Sequence, residues 1–149
     1  MANTYTQIHI QIVFRVSGNN LISEEYRERI EKYICGIITK KKSKPLAIYC
    51  NPDHLHVLIG LHPSISVSEI TRGIKANSTR YINENGLING GFSWQTGFGA
   101  FSYSNSEIDR VIKYILKQPE HHRKTTFKEE YLQFLKDSKI DFNLSYVFD

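Results

Sequence analysis

The segment His54-Leu55-His56-Val57-Leu58-Ile59-Gly60-Leu61 alternates in a way that only a strand uses well. Successive strand side chains point to opposite faces. Leu55, Val57, Ile59 and Leu61 therefore form one apolar face, and His54 and His56 share the other. An apolar sheet face must be covered, so the chain needs helices packed on that side. Residues 5–14 repeat the pattern, with Ile8, Ile10, Ile12 and Phe14 on one face and Gln7, His9 and Gln11 on the other.

The segments between these strands switch to helical spacing. Ser23 caps a helix that has Glu24 and Glu25 in its first turn and Tyr26, Ile30, Tyr33, Ile34, Ile37 and Ile38 as its stripe. That helix runs out into Lys40-Lys41-Lys42-Ser43-Lys44-Pro45. Cations suit a helix C-terminus and proline stops it. Leu46–Cys50 reads as a short strand, Asn51-Pro52-Asp53 as a tight turn, and His54–Leu61 as the next strand. Ser66-Val67-Ser68-Glu69 is a capping box that opens a second helix, with Val67, Ile70, Ile74, Ser78 and Tyr81 on its stripe. After the loop Asn83–Gly91, Phe98–Tyr103 reads as a fourth strand. Ser104-Asn105-Ser106-Glu107 is another capping box, and the helix behind it carries Ile108, Val111, Ile112, Ile115 and Leu116 until Pro119 ends it. A last helix covers roughly Phe127–Lys136.

The order is strand, helix, strand, strand, helix, strand, then helices. It predicts an α+β fold of the ferredoxin-like or RRM-like split βαβ type. The antiparallel sheet has helices on one face, the other face open, and C-terminal helices beyond it. A chain of 149 residues without repeats or linkers is expected to form a single domain, 1–149.

A net charge of +4 and a pI near 9.0 permit a polyanionic partner without demanding one. Cys35 and Cys50 form no CxxC pair, which leaves a zinc ribbon or a redox motif without support. With no signal-like N-terminus and no long apolar run, the sequence predicts free thiols, no membrane span and a cytoplasmic location.

Two imidazoles at i and i+2 on one strand face can converge on a metal ion or touch a phosphate. They can equally be ordinary surface histidines. In the helix expected from Glu107 to Gln118, Tyr114 lies roughly 130° from the centre of the apolar stripe and about 40° from Gln118. Pattern therefore removes Tyr114 from the core and sets it one turn from Gln118. A tyrosine hydroxyl can serve as a covalent nucleophile and a glutamine carbonyl as a metal ligand. A tyrosine resting on the surface has the same signature.

Taken together, these residues resemble the HUH endonucleases, specifically the single-tyrosine transposases of small bacterial insertion sequences and their repetitive-palindrome-associated relatives. The His-hydrophobic-His motif is His54-Leu55-His56, and the Tyr-x-x-x-Gln motif is Tyr114-Ile-Leu-Lys-Gln118. Ile74-Lys75-Ala-Asn-Ser-Thr-Arg80 and Trp94-Gln95-Thr-Gly-Phe-Gly-Ala-Phe-Ser-Tyr-Ser are also similar to the family. The resemblance runs from the first strand to about Phe134, and no catalytic position departs from it.

The resemblance implies that His54, His56 and Gln118 hold Mg²⁺ or Mn²⁺ while Tyr114 attacks a phosphate of single-stranded DNA. The products would be a 5′-phosphotyrosine link and a free 3′-OH, and attack by a 3′-OH would reseal a strand. It also implies recognition of DNA hairpins near element ends. The assembly would be a homodimer, with composite sites as one arrangement, in a bacterial or archaeal cytoplasm.

Candidate DNA contacts are Arg72, Lys75 and Arg80 on the second helix, and Gln7, His9 and Gln11 on the first strand. Lys40–Lys44 and Arg123-Lys124 are further phosphate candidates. His121 and His122, which follow Pro119, are expected to stay off the metal, and His62 carries no signal. Two other readings remain open: a relative that binds hairpins without cutting, and a metal phosphoesterase in which water attacks.

Overall fold

The computed structural model describes residues 3–148. Four strands, β1 (His9–Arg15), β2 (Lys44–Cys50), β3 (His54–Gly60) and β4 (Gly99–Tyr103), form one antiparallel sheet in the order β2-β3-β1-β4. The helices are α1 (Glu24–Lys40), α2 (Val67–Glu84), α3 (Ile108–Leu116), the short α4 (Gln118–His121) and α5 (Phe127–Asp137). This is the α+β architecture expected from the alternation.

The first sheet face is covered by α1 and α2. Ile30, Ile34 and Ile38 of α1 and Ile70, Ile74 and Ile82 of α2 pack on Ile12, Phe14, Leu55, Val57 and Ile59, all essentially buried. Local chemistry starts both helices where the sequence placed them. The Ser23 hydroxyl accepts from Glu25 N–H and the Ser66 hydroxyl from Glu69 N–H. The polar Ser78 on the α2 stripe has a reason as well. Its hydroxyl donates to Ile74 O and accepts from the Trp94 indole N–H at 2.9 Å, which fixes the loop before β4.

The second face departs from expectation, because it is covered. Leu58 and Ala47 pack against Ile108, Val111 and Ile115 of α3, while Val13 and Phe101 pack against Phe127 and Leu135 of α5. The approach of α5 to β4 depends on Gly99, where a Cβ would lie 2.7 Å from the Tyr131 hydroxyl. Leu116, expected on the apolar stripe of α3, is exposed.

The helix expected to run through Gln118 breaks one residue earlier. Pro119 has no N–H to give Ile115 O, so the ladder cannot continue. Lys117 N–H still reaches Lys113 O at 3.0 Å, and α4 then restarts with Glu120 N–H and His121 N–H on Lys117 O. Proline is tolerated in this first turn, where its missing donor is not needed. The bend directs Gln118 into the interior, where it is fully buried.

Candidate active site

Strand β3 delivers His54 and His56 to the same face, as the alternation requires. They are not surface residues: His54 is 1% and His56 0% exposed. The covering α5 accounts for this, since Phe127 lies on His54 with ring centroids 4.3 Å apart.

Each imidazole has its Nδ1 held from outside the site. His56 Nδ1 donates to Gln11 Oε1 at 2.7 Å, and Gln11 Nε2 donates to the Tyr103 hydroxyl at 2.7 Å. His54 Nδ1 donates to Asp53 Oδ1 at 2.6 Å. A carboxylate or amide oxygen on one ring nitrogen fixes the tautomer and aims the other nitrogen inward, the usual device behind a metal-binding histidine. Asn51, from the same turn as Asp53, places its Nδ2 3.1 Å from His54 Nε2 and donates to Gln118 Oε1 at 3.1 Å.

The inward nitrogens meet Glu130 of α5. Its Oε1 lies 2.9 Å from His56 Nε2, 3.4 Å from His54 Nε2 and 3.3 Å from His122 Nε2. Its Oε2 accepts from the Tyr114 hydroxyl, accepts from Gln118 Nε2 at 3.2 Å, and lies 3.3 Å from His121 Nε2. Tyr114 and Gln118 thus converge on one carboxylate oxygen and the histidine strand on the other. An open cleft of about 470 Å³ lined by Gln11, Tyr103, Arg110, Tyr114, His121 and Glu130 leads into this point.

The electrostatics follow from burial and crowding. Burial pushes His56 down to about 4, against the pull of Glu130. Burial also works to lower His54, but its bonds to Asp53 and Glu130 outweigh that and hold its pKa above the ordinary value. Burial works to raise Glu130, yet the His122, His54 and His56 imidazoles hold it far below the carboxylate range. Tyr114 is raised by burial and by the Glu130 carboxylate. Its hydroxyl therefore resists ionisation while it stays on Glu130.

The donor set suits a divalent cation. One ligand atom each from His54, His56, His122 and Glu130 lies within 4.8 Å of the others. Imidazole nitrogens with a carboxylate oxygen match metals such as Mn²⁺, and the carboxylate also suits Mg²⁺. Gln118 Oε1 joins this group through Asn51.

The expected DNA contacts fare unevenly. Gln11 is buried and holds His56, so it is no surface contact. Lys75 is half-buried, donates to Gln95 O and Gly97 O, and lies 5.0 Å over the Phe14 ring. It braces the Trp94–Gly97 loop. Arg72 and Arg80 are exposed, Arg80 bonding only Asn77 Oδ1 of its own helix among the described residues. Gln7 is exposed and donates to Asn105 Oδ1, while His9 is partly exposed beside Tyr103 in the strand register.

Sequence reasoning missed Glu130 and the approach of His122. A signal for Glu130 existed. It lies three residues after Phe127 and four before Phe134, so a charge sits on the apolar stripe of α5. A buried charge needs partners, and here they are imidazoles and a phenol.

Comparison with known proteins finds relatives of the chain in fold and in sequence. A solved structure described as a "putative transposase" from Deinococcus radiodurans R1 superposes with a TM-score of 0.59 at 16% identity, covering 79% of this chain and 95% of that one. A REP-associated tyrosine transposase bound to a REP hairpin gives 0.58 at 17% identity, covering 82% and 73%. At these identities the likeness is one of fold. No curated protein matches the chain. The family model described as "Transposase IS200 like" matches residues 4–118, from before β1 through Gln118 and so across His54, His56 and Tyr114; the chain belongs to the IS200-like transposase family.

Proposed function

We propose that this transposase cuts and rejoins single-stranded DNA by covalent catalysis through Tyr114. The observation that carries the reading is the meeting of Tyr114, Gln118 and the two histidines of β3 on one buried carboxylate, inside a chain of this family. Tyr114 Oη attacks the scissile phosphorus, the bond from phosphorus to the 3′ oxygen breaks, and a 5′-phosphotyrosine and a free 3′-OH result. The linkage stores the energy of the broken bond, so a 3′-OH can later attack it, release Tyr114 and reseal a strand.

His54, His56 and Gln118 would hold Mg²⁺ or Mn²⁺, which when bound neutralises charge on the phosphoryl oxygens. Gln11 and Asp53 keep both imidazoles aimed. Phe127 and the rest of α5 exclude water but also cover the histidines. Tyr114 lines the open cleft through which a phosphate would approach.

The substrate we propose is a DNA hairpin with single-stranded flanks, in a bacterial or archaeal cytoplasm. Support comes from the family and from a neighbour in fold that is bound to a REP hairpin. Exposed Arg72 and Arg80, with Gln7 and His9 at the start of β1, are the proposed backbone contacts. We propose a homodimer as the assembly. The position of Tyr114 beside its own chain's histidines favours sites completed within each chain over composite ones.

The test is a denaturing gel of labelled hairpin oligonucleotides with randomised single-stranded flanks, reacted with Mn²⁺. A covalent protein–DNA adduct supports the reading. Free cut ends without adduct point to water as nucleophile, and no reaction with retained binding points to a binding protein.

A further inference from the structure

Three imidazole nitrogens crowd one carboxylate oxygen here, and the crowding has a chemical meaning. His56 gives its Nδ1 proton to Gln11 Oε1, so a neutral His56 turns a lone pair on Glu130 Oε1 at 2.9 Å. His54 donates its Nδ1–H to Asp53, so its Nε2 lone pair also faces inward, where it accepts from Asn51 Nδ2 at 3.1 Å and lies 3.4 Å from that oxygen. His122 Nε2 lies 3.3 Å away and is buried without a hydrogen-bond partner. Acceptors facing acceptors in a buried site repel unless something positive lies among them.

Resting on the metal reading above, we propose that Glu130 and His122 are metal ligands in this chain, with Glu130 also tethering the nucleophile. The centre would then include His54, His56, His122 and Glu130, whose ligand atoms all lie within 4.8 Å of one another. Both added ligands lie beyond the residues matched to the family, 4–118. Gln118, the third ligand of that reading, is tied to the same group, with Oε1 accepting from Asn51 and Nε2 donating to Glu130 Oε2. Because Glu130 Oε2 also accepts from the Tyr114 hydroxyl, one carboxylate links α5, the cation and the nucleophile. Helix α5 is thereby part of the metal centre.

The experiment is Mn²⁺ titration calorimetry on chelator-stripped full-length protein, without DNA. Parent chain, Glu130→Gln, His122→Gln, His56→Ala and Tyr114→Phe are compared. Glutamine keeps the shape of Glu130 but removes its charge and turns one acceptor oxygen into an amide donor. Melting curves without metal identify any variant that fails to fold, and Glu130→Asp then replaces Glu130→Gln, shortening the ligand while keeping its charge.

We expect one Mn²⁺ per parent chain, weakened roughly tenfold or more by Glu130→Gln and by His122→Gln, and unchanged by Tyr114→Phe. Loss of binding in His56→Ala with parent-like affinity in Glu130→Gln would overturn the proposal and leave the histidine–glutamine site standing. Tighter binding in Glu130→Gln would also overturn it, since the carboxylate would then merely fill the cation's place. No binding by the parent chain would overturn both readings.

Discussion

Gln11 of β1 accepts a 2.7 Å hydrogen bond from His56 Nδ1 of β3, beneath α5 and out of contact with solvent. The amide is anchored at its other end by Tyr103 of β4. Three neighbouring strands thus fix the orientation of one imidazole. Gln11→Leu removes the acceptor and strands the buried His56 Nδ1–H, and it also takes a partner from the half-buried Tyr103 hydroxyl. We expect a loss of about 1–3 kcal/mol in stability, read by urea unfolding. We also expect weaker Mn²⁺ binding, on the order of 10–100-fold, read by calorimetry. A variant with parent-like Mn²⁺ affinity would show that Gln11 matters to packing alone.

The burial of His56 gives the metal-free protein a defined pH response. Its pKa falls from an ordinary 6.5 to about 4 on folding, because burial disfavours the charged ring. The unfolded chain therefore binds more protons between these values. The contribution is present above pH 6.5 and is lost as pH falls toward 4, by up to about 3 kcal/mol. His54 has the opposite sign: its raised pKa stabilises at lower pH and is lost as pH rises through it. His56→Gln removes the first response and keeps the second. With chelator present, the parent should lose stability relative to His56→Gln between pH 6.5 and 4; parallel melting curves would refute the assignment.

Lys75 and Arg72 separate a structural cation from a surface one. Lys75→Met loses two carbonyl partners and the Phe14 contact, and should cost about 1–3 kcal/mol. Arg72→Ala should stay within about 0.5 kcal/mol of the parent. If Arg72 meets a phosphate, its loss lowers the salt slope of hairpin binding by about one. An unchanged slope removes Arg72 from the interface.

How much of this was legible in the sequence depends on how local each signal is. Strand alternation put His54 and His56 on one face, and the serines at positions 23 and 66 fixed the starts of α1 and α2. The wheel set Tyr114 and Gln118 together, and both do meet Glu130 Oε2 even though Pro119 breaks the helix between them. What the pattern could not give was the docking of α5. Its stripe of Phe127, Tyr131 and Phe134 marks a buried face without saying which sheet face it covers. With that face assumed open, His54 and His56 looked exposed, Gln11 looked like a DNA contact, and Glu130 went unread. The contact that corrects all three spans more than seventy positions, from His56 to Glu130.

The account stands or falls on the oxygen of Tyr114. Tyr114→Phe keeps the ring against Phe134 and removes the hydroxyl bonded to the Glu130 carboxylate, which should cost about 1.5–3 kcal/mol. The decisive measurement is mass spectrometry of the proteolysed product of the parent reaction, run beside this variant at equal hairpin occupancy. The account predicts a 5′-phosphate adduct on the peptide containing Tyr114 and none in the variant. An adduct on Tyr103 or Tyr131, or cleavage that survives in Tyr114→Phe, would contradict it.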